Sequence, residues 1–541
     1  MLAVLGRFLN QKSSRISSAA ITVAIFGLIS RLFGLWRDRL LAGTFGAGQD
    51  LDIYYAAFRV PDMVYTLLIV GAVSSVFIPV FQEYLTKDKE EAWRFAGNAL
   101  NVLLAALLVL SAILIIAAPV LIYLIAPGFS ESARALTVNI SRILFLSPLL
   151  LGVSALAAAL LQAFSRFLIT SLAPIFYNLG IIFGIIFLAP RFGIWGPAYG
   201  VVLGALLHFL IQVPALFTVG FKFYGGLNFA DPGIKKIAKL WLPRTLGLFA
   251  FQISDVVMTA IASLMAAGSI TIYNFADNLR WVPIGIVGVA FSTASFPAIS
   301  LAYARGQTDL FLKRIALSVR QSLFIVLPFS ALFFVLRNEI VGIILGTGQF
   351  GAQDIRLTAA VLGLFAFGIF ASALRLLFTR AFFAFHNTKT PVFINIFSAG
   401  INIVLAAALA WFFTAYTGLP AILGLPIAVS VSSVINLAWH WIDLKKHVGD
   451  FGTAEIKKSA VKILAASAAA VAAAYGGLYL FPVIFGIDGF FGLPFKTLFA
   501  GALAAAVYLG AAFLLRCEEL SMFNVFGKPE PIPGESLEDQ Y

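Results

Sequence analysis

The sequence contains few of the side chains from which catalytic and metal sites are built. It has one cysteine, Cys517, and four histidines in 541 residues, and only 11% of the residues are charged. A single cysteine excludes an intramolecular disulfide, and the histidines lack the spacing of a metal site. The chain shows no phosphate loop of the form GxxxxGK[ST], no catalytic triad and no carboxylate dyad. We therefore predict no enzyme activity, no ATP hydrolysis and no cofactor.

Apolar residues dominate what is present. They make up 61% of the chain, and the mean hydropathy of +0.97 is far above that of a soluble domain. Stretches of roughly 20 or more apolar residues can cross a bilayer as helices. The sequence predicts an all-α integral membrane protein with about 14 such transmembrane helices. The predicted spans are 17–45, 53–83, 95–127, 133–164, 167–190, 194–220, 238–268, 270–303, 315–346, 356–386, 390–415, 419–444, 459–484 and 492–516.

Lysine and arginine are unevenly divided between the loops. One side of the predicted membrane carries most of them, whereas the opposite loops hold few, such as Arg134, Arg191 and Arg356. Because cytoplasmic loops are enriched in these residues, both termini are predicted to be cytoplasmic. The net charge of +12 comes from basic residues between apolar spans, so we expect no nucleic-acid partner. The basic clusters are Arg7, Lys12 and Arg15; Lys87, Lys89 and Arg94; Lys222, Lys235, Lys236, Lys239 and Arg244; Arg305, Lys313 and Arg314; Lys389; and Lys445, Lys446, Lys457 and Lys458.

Short motifs recur at separations of about 220 residues, which is typical of transporters built from two related bundles. We predict an N-terminal six-helix bundle, a linker, a parallel C-terminal six-helix bundle, two additional transmembrane helices and a flexible cytoplasmic tail. The linker is predicted to be amphipathic and to face anionic headgroups through Lys235, Lys236 and Lys239. The recurring pairs are 75–79 with 294–297, 126–129 with 346–350, and 166–171 with 387–392. The predicted parts are 1–220, 221–237, 238–447, 448–516 and 517–541.

Charged side chains interrupt the first predicted span. Arg31, Arg37, Asp38 and Arg39 lie between two apolar runs. A charge at bilayer depth costs about 2.5–3.5 kcal/mol, so these residues need a hydrated cavity, a partner charge or an anionic ligand. Arg31, Arg37 and Arg59 are candidate anion ligands, because the planar arginine fork donates hydrogen bonds in pairs. Asp38 is predicted to orient Arg31 or Arg37.

Structural roles remain the alternative for several of these residues. Arg39 lies near a membrane interface, where an arginine can act as an anchor alone. Arg59 adjoins Pro61 and Asp62 and could form an internal ion pair at a helix break. Asp52 could be a carboxylate at the edge of a loop.

Seven short motifs of this chain match a known family of membrane proteins. They are SRLFGLWRD at 30–38, FGAG at 45–48, FRVP at 58–61, APGF at 126–129, GPAYG at 196–200, YNFAD at 273–277 and RAFFAFHNTKTP at 380–391. These motifs resemble those of the MurJ (MviN) family of lipid II flippases, which belongs to the superfamily of multidrug and toxin exporters and oligosaccharide-lipid flippases. The resemblance implies two six-helix bundles around a V-shaped cavity, with two further helices forming a lipid-accessible groove. It also implies transport of a lipid-linked peptidoglycan precursor across the bacterial inner membrane.

The resemblance also implies which residues bind the cargo. The expected partner is lipid II, whose anionic pyrophosphate suits a cationic cavity; membrane lipids and cell-wall synthesis proteins are further expected partners. Two positions depart from the family pattern: an arginine is expected near Tyr65 or Thr66, and another at Asn278. Arg280 is the nearest basic residue to the second position. The predicted substrate-binding residues are Arg31, Arg37, Asp38, Asp52, Arg59 and Arg280.

The energy source is the least defined part of the prediction. Asp255 is expected to be a buried carboxylate that binds H⁺ or Na⁺, and the resemblance adds Asn402 to a sodium site. Ala406 stands where the family places an acidic ligand. A membrane potential acting on the charge of the cavity is the alternative drive.

Two other functions stay open from the sequence. One is a related transporter for another lipid-linked oligosaccharide or an amphiphile. The other is a membrane scaffold for cell-wall enzymes, which would not require buried arginines.

Overall fold

The computed structural model describes residues 16–70, 76–486 and 492–523, and every regular element in these ranges is helical. Helices are the expected result, because each backbone polar group in a lipid-embedded segment must find its partner within the segment. The α-helices are α1 (Ile16–Phe45), α2 (Gln49–Val64), α3 (Ile78–Leu85), α4 (Lys89–Ile125), α5 (Glu131–Leu144), α6 (Leu146–Ala163), α7 (Phe167–Phe183), α8 (Ala189–Phe192), α9 (Trp195–Leu210), α10 (Val213–Thr218), α11 (Pro232–Ser263), α12 (Ser269–Pro283), α13 (Ala290–Ala304), α14 (Thr308–Val335), α15 (Arg337–Leu345), α16 (Ala352–Ala384), α17 (Lys389–Phe412), α18 (Gly424–Val448), α19 (Thr453–Phe485) and α20 (Gly492–Leu514).

Eleven helical segments of the described chain are long and apolar enough to cross a membrane. This confirms an all-helical, multi-pass membrane protein, although the predicted number of about 14 spans is not confirmed. The three predicted spans outside the eleven are 17–45, 53–83 and 238–268, and each carries at least three charged residues. Part of 53–83 lies outside the described residues.

The chain divides into two compact units. The first runs to Thr271 and includes Ile344–Gly351; the second contains Ile272–Ile343 and the chain from Ala352 onward. In the first unit, α11 begins at Pro232, so the last residues of the predicted linker 221–237 belong to a long helix. The predicted tail begins at 517, and its described part includes a 3₁₀ turn at Glu518–Phe523. The predicted division into bundles stays a prediction.

Helix boundaries repeat along the chain with nearly constant spacing. Three helix starts of the first unit recur 219, 221 and 222 residues later in the second. Proline also recurs: Pro61 lies four residues before a π-helical turn at Tyr65–Val70, and Pro283 lies directly before another at Ile284–Val289. Proline removes a backbone donor and widens the helix locally. These boundaries agree with the internal repeat inferred from the motifs. The paired starts are Lys89 with Thr308, Glu131 with Ala352, and Phe167 with Lys389.

Glycines allow α7 and α9 to touch backbone to backbone in the first unit. A Cβ atom at Gly180 would lie 2.3 Å from the Cα of Gly204, and one at Gly184 would lie 2.7 Å from the Cα of Gly200. Small residues four apart are the usual means by which membrane helices approach this closely. The contact sets the position of α7, which carries Asn178 of the site described below.

Candidate functional site

Arg37 and Asp38 of α1 form an ion pair inside the first unit. Nε and Nη2 of Arg37 donate to Oδ1 of Asp38 at 3.0 and 2.8 Å. The Asp38 side chain is 5% exposed and the Arg37 side chain is 24% exposed. The carboxylate is therefore enclosed, whereas part of the guanidinium remains accessible. Asp38 was predicted to orient Arg31 or Arg37, and the structure shows its contact with Arg37.

Asn178 of α7 completes the coordination of Arg37. Nη1 of Arg37 donates to Oδ1 of Asn178 at 3.2 Å. The Nδ2 of Asn178 donates to the carbonyl of Pro174 at 3.0 Å and lies 3.5 Å from that of Ser30, which turns Oδ1 toward the arginine. The amide lies beside Gly34, where a Cβ would make an ordinary contact of 3.9 Å with Oδ1. Asn178 was not predicted, although a lone amide in an apolar span is a usable signal.

Arg31 lies in the same neighbourhood as this pair. It is seven residues before Asp38 on α1 and within electrostatic range of that carboxylate. Leu32 and Trp36, by contrast, are 58% and 46% exposed. The helix therefore presents an apolar surface on one side and its charges on another, as a membrane helix beside a polar region does. We refer to Arg31, Arg37, Asp38 and Asn178 as the Arg37 cluster.

Arg59 of α2 makes its hydrogen bond with α11. Its Nε donates to Oγ1 of Thr259 at 2.7 Å, and that hydroxyl donates to the carbonyl of Asp255 at 2.9 Å. Asp62 lies within electrostatic range, in line with the ion-pair alternative. The ring of Tyr55 is in electrostatic range of both Arg59 and Arg37, so both guanidinium groups lie near it. Thr259 was not predicted, because a threonine in a helix carries no distinctive pattern.

Asp52 has protein donors for both carboxylate oxygens. Oδ2 accepts from the backbone N–H of Gly268 at 2.7 Å. Oδ1 accepts from the N–H and the hydroxyl of Thr271 at 2.8 and 2.7 Å. The carboxylate is 3% exposed and satisfies backbone donors at the beginning of α12. These contacts give Asp52 a structural role, and its part in cargo binding stays a prediction.

Arg39 donates its Nη1 to the carbonyl of Ile344 at 3.3 Å, within the first unit. This side chain is therefore tied to protein backbone.

In the second unit, Arg280 is held by its own helix and by α16. Its Nε donates to Oδ1 of Asp277, one turn earlier, at 2.5 Å. The guanidinium lies 4.4 Å from the ring centre of Phe365. Arg375 of α16 is within electrostatic range of Arg280. Arg375 is thus a second cation near the predicted Arg280, and no sequence motif had indicated it.

The two residues predicted for ion coupling differ in exposure. Asn402 of α17 is 9% exposed, as a buried ligand would be. Asp255 is exposed, which corrects the expectation of a buried carboxylate in the seventh span. Within the described ranges, no group of three or more His, Cys, Asp or Glu side chains is arranged to hold a metal ion. Ion coupling therefore stays a prediction.

Comparisons with known proteins identify the family to which the chain is similar. The profile of the family described as "Lipid II flippase MurJ" matches residues 41–491. A probable lipid II flippase MurJ from Buchnera aphidicola subsp. Schizaphis graminum is 30% identical over 426 residues, 78% of this chain and 82% of the relative.

Solved structures extend the similarity to the fold. A lipid II flippase MurJ in an inward closed conformation aligns over 92% of this chain and 99% of its own, with a TM-score of 0.75 and 24% identity. An inward-facing multidrug resistance MATE family transporter of the MOP superfamily aligns over 81% of this chain and 99% of its own, with a TM-score of 0.65 and 16% identity. The chain belongs to the MurJ family of lipid II flippases.

Proposed function

We propose that this protein moves lipid II from the inner to the outer leaflet of the bacterial inner membrane by alternating access. The family profile, the named relative and the multi-pass helical fold support this function. The protein acts as a transporter and not as an enzyme, with lipid II as its cargo. Both termini are cytoplasmic in this proposal, and cell-wall synthesis proteins are its partners in the membrane.

The Arg37 cluster is the observation that carries the proposal. Arg37 directs Nε and both terminal nitrogens at two acceptors, and a quarter of its side chain stays accessible. Asp38 accepts from the Nε–Nη2 edge, so we propose that a pyrophosphate accepts charge-assisted hydrogen bonds from the second N–H groups of Nη1 and Nη2. Asp38 holds the fork in place and offsets its charge while the site is empty. Cargo binding then needs little rearrangement of the side chain.

Other cations extend the proposed site. Arg31 adds a second positive charge near Asp38. Arg59, whose Nε donates to Oγ1 of Thr259, is a further cation of the first unit that we propose for binding the anionic cargo. Within the second unit, Arg280 is held by Asp277 and Phe365, and we propose it as a substrate-binding residue of that unit.

The proposed drive is either cation coupling through Asp255 and Asn402 or the membrane potential. An anionic cargo that moves outward is favoured by a potential that is negative inside. Measuring lipid II transport in vesicles, with and without a Na⁺ gradient or an imposed potential, separates the two. The cation proposal fails if Asp255→Asn transports lipid II with unchanged Na⁺ dependence.

Genetic complementation tests the function. In cells depleted of their own flippase, the wild-type chain should restore growth and outer-leaflet lipid II. Arg37→Ala should abolish the rescue at equal expression, and Arg37→Lys should restore it only partly, because lysine cannot donate as a fork. Arg191→Ala is the matched control, an exposed arginine of the same unit. Full rescue by Arg37→Ala would remove the pyrophosphate site from the proposal.

The cargo itself has one alternative. Two arginines of the family pattern are replaced, one by Tyr65 or Thr66 and the other by Asn278. A less cationic site favours a less highly charged lipid-linked oligosaccharide as the second candidate. Failure of the wild-type chain to restore outer-leaflet lipid II, at normal expression and folding, would favour that candidate.

A further inference from the structure

The segment 219–231, between α10 and α11, forms a loop that runs along α4 toward Asn101 and then turns back toward the start of that helix. Phe221 packs edge-on against Trp93 near the start of α4, with ring centres 5.5 Å apart. Further on, Nδ2 of Asn101 donates to the carbonyl of Gly226 at 2.7 Å. The chain then descends, because Gly233 packs back against Phe95. Trp93 and Asn101 are eight residues apart on one helix, so the loop rises by about 12 Å.

Side-chain amides hold this loop in place. Asn98 donates to the carbonyl of Asn228 at 2.9 Å and accepts from its N–H at 2.7 Å. The guanidinium of Arg94 lies 5.5 Å from the ring centre of Tyr224. Gly97 lets the backbone approach, since a Cβ there would lie 2.5 Å from the Tyr224 carbonyl oxygen. The loop is thus a fixed feature of the first unit, although it has no regular secondary structure.

Large apolar side chains of the loop point outward. Phe223, Leu227 and Phe229 are 58%, 54% and 58% exposed. Next to Leu227 runs a shallow groove of about 470 Å³ whose lining includes Leu104 and Leu108 of α4. An exposed apolar cluster of this kind marks a surface that contacts a partner or a membrane.

The charges of the loop lie at its base. Lys222 lies at the start of the loop. Lys235 and Lys239 lie after its end, four residues apart on one face of α11. All three are exposed, whereas Lys236 is paired with Glu83 at 2.6 Å. The acidic residue of the segment, Asp231, accepts from the N–H groups of Gly233 and Ile234 and caps α11.

This polarity matches the depth profile of a bilayer interface. α4 has 37 residues, about 55 Å, whereas the hydrocarbon layer is about 30 Å thick. The helix therefore extends beyond the apolar layer, and the loop lies along its first half. Leu227, at the far end of the loop, would lie among the acyl chains. The lysines, at the two ends of the loop nearest the start of α4, would lie among the lipid phosphates.

We propose that this loop is a membrane-inserted anchor that binds anionic phospholipid. Leu227, Phe223 and Phe229 enter the acyl region, and Lys222, Lys235 and Lys239 contact the phosphate groups. Each lysine near an anionic surface strengthens binding roughly fivefold. The site is independent of the cargo, and it needs no lipid II to be detected.

Depth is tested with a polarity-sensitive label on Leu227→Cys in a Cys517→Ser background, reconstituted in phosphatidylcholine and phosphatidylglycerol. A lipid-soluble quencher should reach the label better than an aqueous one. The same label on Asp309→Cys, at an exposed position in the first turn of α14, is the aqueous control. Equal aqueous quenching at the two positions would overturn the insertion.

Selectivity is tested by titrating the purified protein with phosphatidylglycerol or phosphatidylcholine and following its thermal stability. Phosphatidylglycerol should stabilise the wild-type protein, and Lys222→Gln/Lys235→Gln should weaken this binding about 25-fold. Lys457→Gln/Lys458→Gln, two exposed lysines of the second unit, should bind as the wild type does. Wild-type affinity for phosphatidylglycerol in Lys222→Gln/Lys235→Gln would overturn the phospholipid assignment. The assignment would also fail if this variant lost lipid II binding but kept its binding of phosphatidylglycerol.

Discussion

Replacing Glu519 with alanine removes the buried half of an ion-pair cluster near the end of the described chain. Oε1 of Glu519 accepts from Nε of Arg320 and from the hydroxyl of Ser459, both at 2.6 Å. Nη2 of Arg320 also donates to Glu518 at 2.6 Å. The Glu519 side chain is 1% exposed and that of Glu518 is 78% exposed. We refer to these four residues as the C-terminal clamp.

Because Glu519 is buried and Glu518 is exposed, we expect their replacement by alanine to destabilise the closed segment by different amounts. Removing one partner of a buried ion pair usually costs about 3–5 kcal/mol. Arg320 keeps Glu518 as a second partner, so we expect about 2–3 kcal/mol for Glu519→Ala. An exposed pair contributes about 0–1 kcal/mol, and we expect that range for Glu518→Ala.

Cys517 reports on the clamp directly. It is the single cysteine of the chain and is 6% exposed, so a maleimide can react only when this segment opens. If opening is fast relative to labelling, the rate follows the opening equilibrium, and 2–3 kcal/mol becomes an increase of roughly 30- to 150-fold. Burial and the charge of Glu519 raise the pKa of the Cys517 thiol. Labelling takes place in the open state, where this burial is lost, so the ratio of the labelling rates reports the opening equilibrium and not the pKa of the closed state.

Glu518→Ala is the matched control and should change the labelling rate about fivefold or less. Equal rates for the wild type and Glu519→Ala would refute the reasoning, because the buried contact would then contribute nothing to closure of this segment. A Glu518→Ala rate as high as that of Glu519→Ala would show that burial does not decide the cost.

Three further outcomes are expected. Asp52→Asn places an amide against a backbone donor and should destabilise the protein by about 1.5–3 kcal/mol in thermal unfolding. Asp50→Asn, at an exposed position, should melt near the wild type, and equal melting temperatures for Asp52→Asn and the wild type would contradict this. Gly204→Val should reduce folded yield in detergent by forcing α7 from α9, and wild-type yield would show that the glycine contact is dispensable. Asn178→Leu should weaken lipid II binding less than Arg37→Ala does, because Asn178 positions the arginine; a loss as large as that of Arg37→Ala would make the amide a direct ligand.

The apolar composition of the segments correctly predicted that the regular elements of the described chain are helices. Apolar runs identify helices because lipid leaves the backbone no other partner, and the helix starts recur at the spacing that the motifs indicated. The span count was harder to settle, since the charged spans that build the candidate site weaken the apolar signal by which spans are counted.

Both members of the Arg37–Asp38 pair were predicted because they are neighbours in the sequence, whereas the long-range contacts of Arg37, Arg59 and Asp52 could be predicted from one side only. The energetic cost of charge in an apolar span singled out Arg37 and Arg59. Their partners Asn178 and Thr259 lie 141 and 200 residues away, and no local pattern connects such distances. Asp52 was recognised as unusual, but its donors lie more than 200 residues away, so its structural role could not be inferred from the sequence.

Equilibrium binding of lipid II to the purified protein tests the central claim most directly. The wild-type protein and Arg191→Ala should bind lipid II with equal affinity. Arg37→Ala should bind it roughly 10- to 150-fold more weakly, which corresponds to the loss of about 1.5–3 kcal/mol for a hydrogen bond to a charged group. Unchanged affinity in Arg37→Ala would contradict the assignment of the Arg37 cluster to the pyrophosphate.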